Sequence, residues 1–211
     1  MSKELIFYTN PRSRGGIVQW MLEEIGCPYR IEVKEYGTTM KAPDYLAINP
    51  MGKVPAIKRG DTVVTETAAI LAYLADAFPE AGLAPAPEAR GDYYRWLFFA
   101  AGCVEAAMSN HSVGWDPSTP ELQGRFGYGS YAQVMDTLAG ELKGKTYIAG
   151  DRFSAVDIFV GSMLNYGMML GVIEKRPEFE AYCTGLLSRP AGVRAREKAE
   201  KLANQQAWTV A

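Results

Sequence analysis

The sequence predicts an α/β domain of βαβ–ββα order followed by an all-α domain. Three observations predict it. Strand-like and helix-like patterns alternate through about Pro79. Glu80–Ala89, EAGLAPAPEA, is built from small residues with Pro85 and Pro87, and reads as a linker. After it the chain carries only helical signals. The expected boundaries are therefore 1–79 for the α/β domain, 80–89 for the linker and 90–211 for the helical domain.

Each element has a local reason. ELIFY (Glu4–Tyr8) is a short apolar run followed by Asn and Pro, which reads as a strand. SRGGIVQWMLEEIG reads as a helix: Ser13 can cap it, Ile17, Trp20, Met21 and Leu22 form an apolar face, and Gly26 with Pro28 ends it. YRIEV (Tyr29–Val33) alternates as a half-buried strand. A helix crossing between these strands allows them to be parallel. VPAIK and TVVT, joined by Arg59-Gly60-Asp61, read as an antiparallel hairpin. In TETAAILAYLADAFP, Ile70, Leu71, Leu74 and Phe78 recur at helical spacing, and Pro79 stops the run. In the second half, Arg90–Asn110, Pro120–Gly144 and Ser154–Leu170 read as long helices, the last strongly apolar and so central. Two shorter, more exposed helices are expected in RPEFEAYCTGLLSR and AGVRAREKAEKLA. SAVD (Ser154–Asp157) has the outline of a capping box and belongs to folding.

Composition narrows the function. With 48% hydrophobic and 22% charged residues over 211 positions, a sizeable core can form and disorder is not expected. A net charge of −2 argues against a nucleic-acid-binding surface spread over the protein. Trp96–Val104, the longest strongly apolar run, is about half of the roughly 20 residues a membrane span needs. The opening MSKELIFY lacks the apolar region of a signal peptide, so a cytoplasmic location is expected. Cys27, Cys103 and Cys183 are widely spaced and odd in number, which fits a reducing compartment without a structural disulfide. The single histidine, His111, argues against both a structural zinc site and Ser-His-Asp chemistry.

One stretch resists a plain strand reading. NPMGKVPAI (Asn49–Ile57) puts a proline, which donates no ladder bond, where a strand is expected. With the following RGDTVVTETAAILAYLADAFPE it resembles the N-terminal domain of the glutathione transferases, which is thioredoxin-like. GDRFSAVDIFVG (Gly150–Gly161) is similar to the capping-box segment of that family's second domain, and FYTNPRSRGGIVQWMLEEIGCPY to its opening. The resemblance spans nearly the whole chain.

It implies a site for glutathione as co-substrate, without a metal. The resemblance implies a cis Pro55, with Val54 offering its backbone to the cysteinyl unit like an added strand. Thr67, at a helix N-terminus, would hold the γ-glutamyl carboxylate, and Glu66 would face the γ-glutamyl ammonium. Lys53 would reach the glycyl carboxylate or simply be solvated. For the thiolate, Ser13, Asn10 and Tyr8 are candidates, with Thr9 or backbone N–H groups left open, and Arg14 adds nearby positive charge. Ser13 is equally a good helix cap. No cysteine lies in this segment, which disfavours thiol–disulfide exchange. The resemblance further implies conjugation to a small hydrophobic electrophile, a detoxification role and a homodimer. The electrophile pocket is expected between the domains, near Met108, Trp115, Tyr166 and Trp208, with His111 another possible wall. The alternatives are a non-catalytic scaffold of the same fold, or a glutathione-dependent isomerase or dehalogenase.

Overall fold

A computed structural model describes residues 3–207. Trp208 lies outside the described residues. The chain divides into two units. One holds the segment up to Ala81 together with the segment from Arg189 onward; the other is Gly82–Ser188.

The first unit contains β1 (Leu5–Thr9), α1 (Gly15–Ile25), β2 (Arg30–Val33), α2 (Pro43–Leu46), β3 (Ala56–Arg59), β4 (Thr62–Thr65) and α3 (Thr67–Ala77). The sheet order is β2-β1-β3-β4, with β1 and β2 parallel and the other two pairs antiparallel. This is the βαβ–ββα pattern the sequence predicts. The stretch 34–53, between the two halves of this pattern, also holds a 3-10 turn at Thr39–Lys41 and α2. Pro43 starts α2, where its fixed φ suits a first helical position.

Alternation along β1 sorts the side chains onto two faces. Phe7, fully buried, lies on one; Ile6 and Tyr8 lie on the other. Tyr8 clusters with Met40, Tyr45 and Ala56, and Ile6, Ile48 and Val54 pack against them. α1 buries Ile17, Val18, Trp20, Met21 and Leu22.

The first unit also contains the last helix, α10 (Pro190–Ala207), which packs along α1. Sequence periodicity reads α10 as a short, exposed helix; it is 18 residues long and buries Ala191 and Ala195. Ion pairs, which leave no apolar stripe in the sequence, join it to α1 beside this packing. Arg189 meets Glu24 with two hydrogen bonds, 2.7 and 2.9 Å long. Lys198 and Arg194 meet Glu23 at 2.5 and 3.4 Å.

The second unit is helical. The run expected as one helix over Arg90–Asn110 consists of α4 (Gly91–Phe99), a five-residue π-helical stretch (Ala100–Val104) and α5 (Glu105–Ser112). The Pro120–Gly144 region divides into α6 (Pro120–Arg125) and α7 (Tyr131–Leu142). Gly129, with φ +72°, turns the chain between them, and Thr119 and Ser130 cap the two helices. α8 (Ala155–Met169) is central and largely buried, and α9 (Pro177–Leu187) packs on it. At the start of α8, Asp157 accepts from Ile148 N–H, Ser154 N–H, the Ser154 hydroxyl and the Tyr182 hydroxyl, all between 2.8 and 3.0 Å. Burial pushes its carboxyl up, and these bonds act against that push. No helix among the described residues is long and apolar enough to cross a membrane.

Candidate functional site

Strand register brings three separate segments to one end of the sheet. Tyr8 pairs with Ala56, and Ala56 pairs with Thr65. The chain leaves β1 toward Asn10–Arg14 beside the point where it enters β3 through Val54–Pro55. It leaves β4 toward Glu66–Thr67 at the same end.

The middle segment is held from below. The Val54–Pro55 peptide bond is cis. Among the described residues, neither the N–H nor the C=O of Val54 has a hydrogen-bond partner. The Lys53 carbonyl accepts from the Tyr45 hydroxyl at 2.6 Å and from Asn49 Nδ2 at 2.8 Å. Asn49 Oδ1 accepts from Met51 N–H, closing the Asn-Pro turn locally. Lys41 Nζ donates to the carbonyls of Met51 and Gly52. Gly52 has φ +56°, and a Cβ there would lie 2.9 Å from Lys41 and from the Met40 carbonyl, so only glycine suits the turn. The Lys53 side chain is exposed. Tyr45, Asn49 and Lys41 were not picked out from the sequence. The Asn-Pro turn was the available signal for Asn49; the other two act through tertiary contacts alone.

The third segment carries backbone strain. Glu66 has φ +66° and ψ +123°, and it is the one non-glycine with positive φ among the described residues. Such a conformation costs about 1–3 kcal/mol and clusters at functional sites. Glu66 is exposed, Thr67 half-buried, and Thr67 opens α3 with the free N–H groups of a helix start.

The first segment is tightly folded. Asn10 is buried, and both ends of its amide are used: Nδ2 donates to the Lys34 carbonyl and Oδ1 accepts from Arg12 N–H, each at 3.0 Å. The Ser13 hydroxyl donates to the Asn10 carbonyl at 2.6 Å and accepts from Gly15 N–H at 3.0 Å. Arg14, not Ser13, is the residue preceding the helix, and Ser13 reaches only the Gly15 N–H from one position further out. A Cβ on Gly15 would fall 1.9 Å from Thr9 Oγ1, so this turn closes only on glycine. Tyr8 is buried against Tyr45, their rings 5.5 Å apart, and burial followed by the charge of Glu32 pushes its phenol up. Its phenol therefore stays protonated at neutral pH. Arg12 and Arg14 are exposed beside the segment.

An unpaired peptide edge thus lies beside a helix N-terminus and an acidic side chain. A model of the glutathione S-transferase N-terminal domain matches residues 17–77, and one of the C-terminal domain of the same family matches 130–190. The chain belongs to the glutathione transferase superfamily. Glutathione S-transferase PARB of Nicotiana tabacum is 28% identical over 173 residues, covering 76% of this chain and 81% of the relative. Among solved structures, a glutathione transferase from Methylococcus capsulatus matches with a TM-score of 0.76 and 28% identity over 93% of this chain and 98% of its own. A sphingomonad glutathione S-transferase complexed with glutathione matches with a TM-score of 0.76 and 27% identity over 92% and 98%.

In the helical unit, Tyr166 and Trp115 are exposed and Met108 is half-buried. His111 Nδ1 lies 2.8 Å from Asp116 Oδ2, and its ring stacks on Tyr131 at 3.9 Å. The cysteines are free: Cys183 is buried, its thiol pushed up by burial to about 12, and Cys27 and Cys103 are half-buried.

Proposed function

We propose that the chain is a glutathione transferase that binds glutathione along Val54, lowers the pKa of its thiol and transfers the thiolate to a small hydrophobic electrophile. The observation that carries this reading is the Val54 peptide, whose N–H and C=O are both without a partner among the described residues, beside a strained Glu66 at the start of α3. A tripeptide backbone pairs with Val54 as an added strand. Thr67 and the α3 N-terminus take the γ-glutamyl carboxylate, Glu66 takes the ammonium, and Lys53 takes the glycyl carboxylate. A thiolate is a stronger acceptor than a carbonyl, so the Ser13 hydroxyl turns from Asn10 to the sulfur when glutathione binds. Asn10 keeps its structural bonds, Tyr8 stays neutral, and Arg14 contributes charge. The reaction is then accelerated by thiolate population and by positioning. Exposed Trp115 and Tyr166, with Met108, are candidate contacts for the electrophile. The free cysteines suit a reducing, cytoplasmic compartment. The chain works as a homodimer, and exposed Phe98 and Tyr94 on α4 supply apolar surface for it; light scattering should give twice the chain mass.

The test is titration with glutathione, with the thiolate ultraviolet absorbance recorded against pH. Bound glutathione should ionise below the free thiol value of roughly 8.5. Ser13→Ala should raise the bound value by about 1 unit, the loss of one charge-assisted hydrogen bond. Binding without thiolate formation or conjugation would favour the non-catalytic scaffold, and absence of binding at millimolar glutathione would end the transferase reading.

A further inference from the structure

Lys34 belongs to none of the binding groups named above, yet it stands where the two ends of the site meet. Its Nζ lies 5.6 Å from the centre of the Tyr8 ring and 5.4 Å from that of Tyr45. Its side chain is only 11% exposed, an unusual place for lysine. Glu32 at 3.3 Å and Asp44 at 3.9 Å are its anionic partners. Its main chain is tied to β1: the N–H donates to the Thr9 carbonyl at 2.8 Å, and the C=O accepts from Asn10 Nδ2.

Contacts run outward from it in both directions. Toward the thiol end, Asn10 receives the Ser13 hydroxyl on its own carbonyl. Toward the peptide end, Tyr45 donates its hydroxyl to the Lys53 carbonyl, directly before Val54. Ser13, Asn10, Lys34, Tyr45 and Lys53 thus form one connected series inside a single unit.

We infer that Lys34 is a positioning residue that fixes the thiol-binding and peptide-binding halves of the glutathione site at one separation. A cation held over two aromatic faces resists displacement of either ring. Moving Tyr45 moves the Lys53 carbonyl and with it the Val54 peptide. Moving Tyr8 moves the end of β1 and with it the Asn10–Ser13 turn that follows. Lys34 touches no part of the ligand itself. The inference rests on the transferase reading and adds a residue and a role to it.

The experiment compares wild type, Lys34→Met, Lys34→Arg, Tyr45→Phe and the Lys34→Met/Tyr45→Phe double variant as full chains. It measures the glutathione KM, the electrophile KM, the bound-thiol pKa, and the folded fraction by circular dichroism. Lys34→Met keeps the length and the main-chain bonds but removes the charge. It should raise the glutathione KM about tenfold and also the bound-thiol pKa, leaving the electrophile KM in place. Lys34→Arg should restore most of both. Tyr45→Phe removes a hydroxyl at the peptide end, yet should shift the thiol pKa at the other end. The double variant should lose less than the two singles predict together, because they interrupt one series.

A folded Lys34→Met with wild-type glutathione KM and thiol pKa overturns the inference. So does a loss of activity that tracks the folded fraction with constants unchanged per folded molecule, or strict additivity in the double variant. Where Lys34→Met does not fold, an unshifted thiol pKa in Tyr45→Phe overturns it. If wild type binds no glutathione, the transferase reading falls and takes this inference with it. If wild type binds and both variants match it, only the inference falls.

Discussion

Glu66 pays for a conformation that glycine would adopt freely, and it is exposed, so packing does not account for the choice of a glutamate. Its carboxylate is the feature glycine lacks, and the proposed γ-glutamyl ammonium is a partner for it. Folding and binding should therefore move in opposite directions at this position. Glu66→Gly should leave the unfolding free energy unchanged or raised, the relief of about 1–3 kcal/mol of strain meeting the roughly 0.5–1 kcal/mol of extra chain entropy that glycine loses. Glutathione affinity should fall about tenfold, some 1.4 kcal/mol. Urea unfolding and calorimetric titration on the same preparation check both. A variant that loses stability and keeps affinity would remove Glu66 from the site. Ser13 shows why the residue scale is hard to read from sequence. Its identity fits both a cap and a thiol donor, and its hydroxyl is already engaged with Asn10 and Gly15. Asn10 resembles a donor in a string of letters, but its amide is spent on Lys34 and Arg12.

The elements were legible where they bury an apolar stripe and less so where charge or turns decide. The βαβ–ββα order follows from alternation in the strands, periodicity in α1 and α3, and Gly60 in the hairpin. The capping box at Ser154 was equally visible, because Ser and Asp stand at the required spacing before an apolar run. α10 was visible as a helix but its attachment to α1 was not, because Arg189, Arg194 and Lys198 read as a solvated face until Glu23 and Glu24 are seen opposite them. The Glu23 carboxyl is pushed up by burial, but hydrogen bonds from Lys198 and Tyr29 and the charge of Lys198 outweigh this and hold it below the ordinary range. A carboxyl with a lowered folded-state pKa adds stability above its unfolded pKa of about 4.3 and loses it as pH falls through the folded value. Wild-type stability should therefore drop as pH falls below about 5, and Glu23→Gln should flatten part of that slope. At pH 7 the same variant should cost roughly 1–2 kcal/mol, since Lys198 and Arg194 are half-exposed and only partly stranded. Denaturant midpoints across this pH range measure both effects. An unchanged slope would mean that Glu23 is not the group that titrates.

At the scale of the molecule, two kinds of information were separable. The fold and the proposed glutathione edge reside in local signals: a proline where a strand begins, an Asn-Pro turn, and Glu66-Thr67 at a strand-to-helix junction. Strand register then brings these segments together. The proposed electrophile contacts carry no such signal, because Met108, Trp115 and Tyr166 differ from ordinary apolar residues only in exposure. Lys34 and Tyr45 lie between these cases, chemically ordinary in sequence and connected only once the chain is folded. The proposed reaction depends first on glutathione pairing with Val54. A crystal structure of the chain with glutathione tests it most directly. It should show the cysteinyl backbone paired with the N–H and C=O of Val54, the γ-glutamyl carboxylate at Thr67, and the sulfur within hydrogen-bond reach of the Ser13 hydroxyl. Glutathione bound elsewhere, or density that leaves Val54 without a partner at saturating ligand, would contradict it.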